Sequence, residues 1–446
     1  MSANGFSHSR DTLCQLADDV LRHARELGAT ACEVDVSEAF GQSVSVRRGE
    51  VETIEYNRDK GIGVTIFLDQ RRGHASTSDF SPSALRATVA AALSIARFTA
   101  PDPYAGLPEE KLLAKKAMAL DLCHPWNPTV DKAIALANQC EEAAFAVSPL
   151  IRNSEGASVS TQQSQFISAN SLGFMGGFPT TRHYIACAVI AGEGDNMQRD
   201  DWYSSNRDPA RLSTPEVIGD YAARRALARL DARRLKTCSV PVLFDAPLAV
   251  GLIGSFVQAV SGGALYRKTS FLLDSLGQAV FPAHVQISER PHLKGALASS
   301  PFDDDGVATH DREVVSNGVL QGYFLSTYSA RKLGMQTTGN AGGSHNLIVK
   351  PGEHDLQGLL KKMGTGLFVT ELLGQGVNYV TGDYSRGAAG YWVENGEIAY
   401  PVQEITIAGN LRDMFRGIVA IGNDVLVRGS KQVGSILVDR MTVAGG

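Results

Sequence analysis

The sequence has no cysteine after residue 238 and no two cysteines spaced as in a C-x-x-C motif, although its 446 residues include six. This pattern excludes a zinc ribbon and a disulfide-stapled scaffold. Scattered cysteines are typical of a reducing compartment, and the first 18 residues lack the apolar run of a secretory signal peptide. We therefore expect a cytoplasmic protein. The cysteines are Cys14, Cys32, Cys123, Cys140, Cys187 and Cys238.

A surplus of positive charge is also missing. The formal net charge is -5 and the sequence pI is about 6.1, so nothing draws the chain as a whole to nucleic acid or to an anionic membrane. The uncharged stretch from Ala246 to Tyr266 is 21 residues long, enough to span a bilayer, but it contains four glycines, two serines and a glutamine. We expect a buried helix of a soluble protein there, and neither a membrane nor a nucleic acid as partner.

The motifs of several enzyme classes are absent. There is no G-x-x-x-x-G-K-[ST] loop for phosphates and no G-x-S-x-G nucleophile elbow. No two of the ten histidines lie three, four or five residues apart, as a local zinc motif requires. Ser344 and His345 are adjacent, but the side chains of sequence neighbours usually point apart. These patterns predict no catalytic residue and no metal ligand.

The first half of the chain repeats one plan. Apolar residues at helical spacing over 12–27 predict a helix, the alternation that begins at Cys32 predicts antiparallel strands, and Ser81-Pro82 is typical of a helix start. After a stretch with five prolines, the same order of helix, strands and helix returns. We predict two α+β domains, each a helix–antiparallel sheet–helix layer, at residues 1–100 and 129–238, joined by a proline-rich linker over 101–128.

Glycine marks the second half. Residues 1–238 hold 15 of the 45 glycines, and the remaining 208 residues hold 30. Asn317-Gly318 and Asn395-Gly396 each lie between short alternating segments and predict two-residue hairpins. We predict an α+β protein whose C-terminal domain, residues 239–446, is a glycine-rich, mostly antiparallel sheet or barrel-like domain with few helices.

Two charged clusters have competing interpretations. The acidic run Asp303-Asp304-Asp305 precedes Gly306 and fits a solvated loop, a site for a hard cation, or a polar contact with a substrate or partner; the solvated loop is the commonest of these. Arg225, Arg229 and Arg233 are spaced four apart and form one face of a helix. Because no aromatic residue lies between them, we expect a solvated face rather than a nucleic-acid site.

Six ordered segments beyond residue 239 together resemble the PmbA (TldE) branch of the TldD/PmbA family. Long motifs kept in order are more specific than any short pattern in the chain, and the similarity of plan extends over most of its length. The segments are Arg267–Leu272, Ser300–Gly306, Asn317–Leu320, Thr338–Ala341, Tyr379–Ser385 with Gly387, and Glu404–Leu411.

The resemblance implies an intracellular metallopeptidase assembled from a TldD-type chain and a PmbA-type chain. It also implies extended or unfolded peptides as substrates, among them peptide-antibiotic precursors and labile antitoxins. In the TldD branch a helical H-E-x-x-x-H motif and a late cysteine hold zinc, which polarises the scissile carbonyl and activates water. An older family label is modulator of DNA gyrase.

The zinc motif is where this chain departs from the TldD branch. Counting back without gaps from Thr269-Ser270 places the motif on residues 253–258, and no side chain there is a usual zinc ligand. The late cysteine has no counterpart either. We therefore expect no cofactor on this chain, zinc on a TldD-type partner, and a possible homodimer when the partner is missing. The six residues are Ile253, Gly254, Ser255, Phe256, Val257 and Gln258.

The C-terminal domain would then supply part of a peptide groove, in which an extended peptide binds by main-chain hydrogen bonds as an added strand. Two alternatives stay open: a non-enzymatic regulator that binds DNA gyrase or another large partner, and a free-standing homodimeric peptidase with an unrecognised site. A metal site outside the family pattern, formed by distant ligands such as His284, His310 or His345 with an aspartate, also stays open. The candidate groove residues are Asp303, Asp304, Asp305, Asn340 and His345.

Overall fold

The computed structural model describes residues 5–116 and 118–445. Short 3-10 turns lie at Glu110–Leu112, Gly194–Asn196 and Pro209–Arg211. The helices are α1 (Arg10–Glu26), α2 (Pro82–Phe98), α3 (Val130–Val147), α4 (Pro215–Ala228), α5 (Ala246–Ala259), α6 (Gly262–Tyr266), α7 (Thr327–Lys332), α8 (Leu356–Met363) and α9 (Leu411–Arg416).

The strands outnumber the helices in both halves of the chain. In the first half they are β1 (Ala31–Arg47), β2 (Glu50–Leu68), β3 (Arg71–Thr77), β4 (Ile151–Asn170), β5 (Met175–Gly176), β6 (Pro179–Ala191) and β7 (Gln198–Asn206). In the second half they are β8 (Cys238–Phe244), β9 (Ile287–Glu289), β10 (Arg312–Ser316), β11 (Val319–Leu320), β12 (Leu347–Val349), β13 (Gly366–Leu373), β14 (Asp383–Glu394), β15 (Glu397–Asn410), β16 (Ile418–Ile421), β17 (Leu426–Val427), β18 (Lys431–Val433) and β19 (Ile436–Gly445).

One antiparallel sheet of seven strands runs through the first half, in the order β3-β2-β1-β4-β6-β7, with β5 beside β4. The α+β class and the plan of helix, antiparallel sheet and helix are confirmed. The two predicted units are joined edge to edge, because β1 pairs with β4 from Glu33 opposite Asn170 to Val46 opposite Ala157. This pairing makes the two layers one continuous sheet.

Both helix pairs pack on the same face of this sheet. Alternate residues of β1 point to one face, where Val34 and Val36 are buried under α1 and α2 and Val44 and Val46 under α3 and α4. Helix α2 begins as its sequence predicts, because the Ser81 hydroxyl accepts a hydrogen bond from the N–H of Ala84 at 3.3 Å. The opposite face of the sheet carries neither helix pair and faces the C-terminal domain.

The C-terminal domain contains a barrel of five strands. They pair in the order β15-β14-β13-β8-β19, β19 pairs back onto β15, and β16 lies beside β19. A second sheet of six strands has the order β11-β10-β9-β12-β18-β17. Asn317-Gly318 and Asn395-Gly396 form the predicted hairpin turns, with φ positive at all four residues. The barrel-like, mostly antiparallel domain is thus confirmed.

Helix α5 lies in the core of this domain, as its uncharged sequence predicts. Ile253 and Phe256 are at most 1% exposed and pack with residues of both C-terminal sheets. The helix ends at Ala259, and α6 starts three residues later. Among residues 5–116 and 118–445, no helix is both long and apolar enough to cross a membrane.

The basic cluster joins the first sheet to the C-terminal domain, so the expectation of a solvated face was wrong for Arg225 and Arg229. Arg225 lies 3.0 Å from Asp200 of β7 and 3.5 Å from Asp245, which precedes α5. Arg229 lies 2.5 Å from Glu371 of β13. Spacing along a helix shows that these arginines share a face, but not which carboxylates the folded chain brings to that face.

Candidate functional site

The five predicted groove residues lie on two adjoining loops of the C-terminal domain, 300–307 and 338–346. The loops are tied together by the buried carboxylate of Asp303, which accepts hydrogen bonds from the N–H groups of Asp305 at 3.0 Å, Val307 at 2.9 Å and Ala341 at 2.9 Å. Burial and the nearby charge of Asp305 raise the pKa of Asp303 to about 7. Asp303 therefore shapes the loop rather than facing solvent.

Asn340 and His345 support the second loop from behind. The amide of Asn340 donates to Glu289 Oε1 at 2.8 Å, and the backbone N–H of His345 donates to the same oxygen at 2.7 Å. His345 Nε2 donates to the carbonyl of Gly339 at 2.9 Å. Arg312 completes the network with a hydrogen bond to Glu289 Oε2 at 2.6 Å. Because both predicted residues are buried and hydrogen-bonded, the structure assigns them a supporting position.

The other two aspartates face the helix-free side of the first sheet. Asp305 accepts a hydrogen bond from the N–H of Thr327 at 2.8 Å, and Asp304 is exposed. Opposite them are Glu33 and Asp35 of β1. Burial, followed by the charge of Asp305, raises the pKa of Glu33 to about 7. Although Asp304 is exposed, its surroundings partly desolvate its carboxylate; this desolvation, followed by the charges of Asp35 and Asp305, raises the pKa of Asp304. Four carboxylates from two domains therefore lie close enough for their charges to influence one another's pKa values.

The sequence interpretation missed Glu33 and Asp35, although a usable signal was present. Both alternate with Cys32, Val34 and Val36, so they share the face of β1 that points away from the helices. The pattern cannot show that this face meets Asp304 and Asp305, because that contact joins residues far apart in the sequence.

A cavity of about 680 Å³ opens beside these carboxylates, between the first sheet, the start of the linker and α7. Tyr328 donates a hydrogen bond to Asp102 at 2.7 Å, and Lys332 lies 3.5 Å from the same carboxylate. Residues that line the cavity include Glu33, Phe67, Arg72, Asp102, Asp305, Thr327, Tyr328 and Lys332. Its wall is mixed in charge and partly aromatic.

The linker holds the cavity in place. Arg331 of α7 donates to the carbonyl oxygens of Gly106 at 3.1 Å and Leu107 at 2.5 Å. Further along, the N–H of Ala114 donates to the carbonyl of Gly306 at 3.0 Å. The predicted linker is therefore packed on the C-terminal domain next to the aspartate loop.

The residues at the expected zinc-motif positions do not fit a metal site. Ile253 and Phe256 are packed in the apolar core, and the Ser255 hydroxyl donates to the carbonyl of Gly251 at 3.2 Å. Lys431 Cε lies 3.9 Å from the position that a Cβ on Gly254 would take, which brings a cation to this turn of α5. Within residues 5–116 and 118–445, no three His, Cys, Asp or Glu side chains are arranged to hold a metal ion.

Sequence models of one family cover most of the chain. The PmbA/TldA metallopeptidase domain 1 matches residues 32–96, the central domain matches 123–230 and the C-terminal domain matches 237–445. The chain belongs to the PmbA/TldD metallopeptidase family. Metalloprotease PmbA of Escherichia coli O157:H7 is 48% identical over 434 residues, which are 97% of this chain and 96% of that protein.

Two solved structures have the same fold as this chain. A protein from Bacteroides thetaiotaomicron, named as a proposed modulator of DNA gyrase, superposes with a TM-score of 0.92 at 26% identity, covering 98% of this chain and all of that one. TldE from Thermococcus kodakarensis superposes with a TM-score of 0.82 at 19% identity, covering 96% of this chain and all of that one. The homologues named metalloproteases place the chain among hydrolases by family.

Proposed function

We propose that the chain is the zinc-free, PmbA/TldE-type subunit of a cytoplasmic TldD/PmbA metallopeptidase. A TldD-type partner supplies the zinc, and this chain completes the chamber in which an extended or unfolded peptide is cleaved. Peptide-antibiotic precursors and labile antitoxins are the substrates that we expect. Without the partner, the chain forms a homodimer that does not cleave peptides.

The packing of α5 carries this proposal. A zinc-binding helix must turn two imidazoles and a carboxylate toward a shared, solvated point. Here Ile253, at the position of the first histidine, is buried in the apolar core, and Lys431 lies beside Gly254, at the position of the glutamate. Gln258, at the position of the second histidine, is exposed. A buried histidine at position 253 would need a hydrogen-bond partner that its apolar surroundings do not offer.

The aspartate loops do not replace the missing site. Asp303 is occupied by three backbone N–H groups, and His345 by the carbonyl of Gly339. Their remaining function is to shape the wall of the peptide chamber. We therefore assign the catalytic step to the partner and a binding role to this chain.

The test compares three samples: the chain alone, a TldD-type chain alone, and the two purified together. Bound zinc is measured by elemental analysis, and cleavage is followed on an unfolded casein or a peptide of similar disorder. We expect zinc well below one ion per chain in the first sample, and full cleavage only in the third. Stoichiometric zinc together with cleavage in the first sample would overturn the proposal.

A further inference from the structure

The cavity is lined by three carboxylates, those of Glu33, Asp102 and Asp305, and by two cations, Arg72 and Lys332, and is called the acidic cavity below. Lys332 is already held by Asp102 and lies 4.3 Å from the ring of Tyr104, and Arg72 lies 3.9 Å from Glu33 with 59% of its side chain exposed. Within residues 5–116 and 118–445, no cation forms an ion pair with the third carboxylate, Asp305. The cavity therefore has room and charge for a cation from outside the chain.

A buried hydroxyl without a partner lies at the same place. Thr327 lines the cavity and is 6% exposed, and its Oγ1 forms no hydrogen bond with any described residue. Leaving a buried polar group unpaired is costly, so native structures rarely do so without a reason. Because the backbone N–H of Thr327 is bonded to Asp305, the unpaired hydroxyl and this carboxylate are neighbours.

The acceptors suit a primary ammonium group better than other cations. An ammonium has three hydrogen-bond donors that point in different directions. Glu33, Asp305 and the Thr327 hydroxyl offer acceptors from three separate elements, β1, the aspartate loop and α7. A metal site would need three or more His, Cys, Asp or Glu side chains around one point, and the described residues contain no such group. The rings of Phe67 and Tyr328 offer an apolar wall for the carbon chain that carries the ammonium.

We propose that this cavity binds a primary ammonium group on a peptide, either its amino terminus or a lysine side chain. Only the choice of a peptide as the carrier rests on the function proposed above. The ammonium would lie between Glu33 and Asp305, and the buried Thr327 hydroxyl would turn toward the cavity to accept a hydrogen bond from it. The cavity would thus select peptides by a charge at one point while leaving the rest of their sequence free.

Peptide probes distinguish the two sources of the ammonium. Isothermal titration of the full chain, without any partner, compares tetraalanine amide with a free amino terminus, its N-acetyl form, and an N-acetyl form with one lysine. The N-acetyl form without lysine has no ammonium group. We expect it to bind at least about tenfold more weakly than the better of the other two probes. Whichever of those two binds more tightly identifies the source. Equal affinity for all three would overturn the proposal.

Matched variants test the residues. Glu33→Gln and Asp305→Asn keep an acceptor oxygen but remove the charge, and each should weaken the preferred probe about tenfold. Thr327→Val keeps the shape of the side chain and should weaken it a few-fold. Glu52→Gln, on an exposed part of β2 remote from the cavity, is the control and should leave binding unchanged. Circular dichroism checks that each variant is folded.

Unchanged affinity in folded Glu33→Gln and Asp305→Asn would also overturn the proposal. Because binding is measured on the chain alone, this outcome does not depend on zinc or on a TldD-type partner. Equal binding of the three probes by the wild-type chain, or unchanged binding in these variants, therefore refutes the cavity proposal, whereas zinc and cleavage in the lone chain refute the proposed function.

Discussion

At the scale of single residues, Glu33 lowers the stability of the fold, and the cavity proposal gives it a favourable effect on binding. It lies in a cavity wall with Asp305 nearby, and its pKa is raised from 4.5 to about 7. A carboxylate that is costly to ionise in the folded chain is also one whose ionised form is stabilised most by a bound cation. Residues of this kind are typical of binding sites, where a buried charge lowers the stability of the ligand-free protein.

The first prediction concerns the pH dependence of stability. Because the folded chain keeps the proton of Glu33 up to about pH 7 and the unfolded chain releases it near 4.5, the stabilising contribution is present below pH 4.5 and is lost as the pH rises through 7. Glu33→Gln should therefore gain about 1 to 3 kcal/mol in free energy of unfolding over wild type between pH 4.5 and 8. Urea unfolding at several pH values measures this difference.

The control for this experiment is Glu52→Gln, which changes an exposed carboxylate. Its stability curve should run parallel to that of wild type across the whole pH range. If the curve of Glu33→Gln also runs parallel, Glu33 is not desolvated by the aspartate loop and the acidic cavity is not as described.

At the scale of elements, helix α4 shows how one helix can join two domains. Arg225 of this helix and Arg229 at its end reach Asp245 and Glu371 of the C-terminal domain, while Arg224 forms an ion pair at 2.8 Å with Asp220 of the same helix. Trp202 of β7 adds a ring 5.4 Å from the Arg225 guanidinium. Neighbouring arginines of α4 therefore differ in their contacts: Arg225 connects two domains, and Arg224 forms a pair within one helix.

The second prediction compares those two arginines. Arg225→Ala should lower the free energy of unfolding by about 2 to 4 kcal/mol, since it leaves the buried carboxylate of Asp200 and the mostly buried carboxylate of Asp245 without this cation. Arg224→Ala should cost about 0.5 kcal/mol or less, because it removes an exposed pair within one helix. Chemical denaturation of both variants measures the contrast. Similar losses in the two would mean that the contact between α4 and the C-terminal domain does not stabilise the fold.

Elements with local signals could be predicted from the sequence, and contacts between distant elements could not. The Ser81 cap, the asparagine-glycine turns and the buried helix α5 each depend on a few adjacent residues. The pairing of β1 with β4 and the closure of the barrel by β15 and β19 depend on residues far apart. The same division applies to the site, where the aspartate run was visible and its partners Glu33 and Asp35 were not.

At the scale of the molecule, the shared sheet ties the first two units together. Glu33 to Val46 of β1 pair continuously with β4, so the boundary predicted at the linker is a boundary in sequence but not in hydrogen bonding. The linker is also held by Arg331 and by the aspartate loop. We therefore expect the first two units to behave as one body.

The third prediction tests that expectation by cutting the chain. A site for a specific protease placed between the exposed residues Lys115 and Lys116 should be cleaved without separating the halves. On size exclusion in buffer, both fragments should elute together at the position of the intact chain, because the β1–β4 ladder and the packing on the C-terminal domain remain. In 6 M guanidinium they should separate. Fragments that separate in buffer would show that the shared sheet does not hold.

The pairing of β1 with β4 also sets an order of events during synthesis. Strand β1 ends at Arg47 and β4 begins at Ile151, so β1 leaves the ribosome more than a hundred residues before β4 does. Until then β1 has one edge without hydrogen-bond partners, and open strand edges pair readily with other chains. The nascent chain is therefore prone to aggregation between the emergence of β1 and that of β4. The strand pair that joins the first two units in the folded protein forms late, because its two strands lie far apart in the sequence.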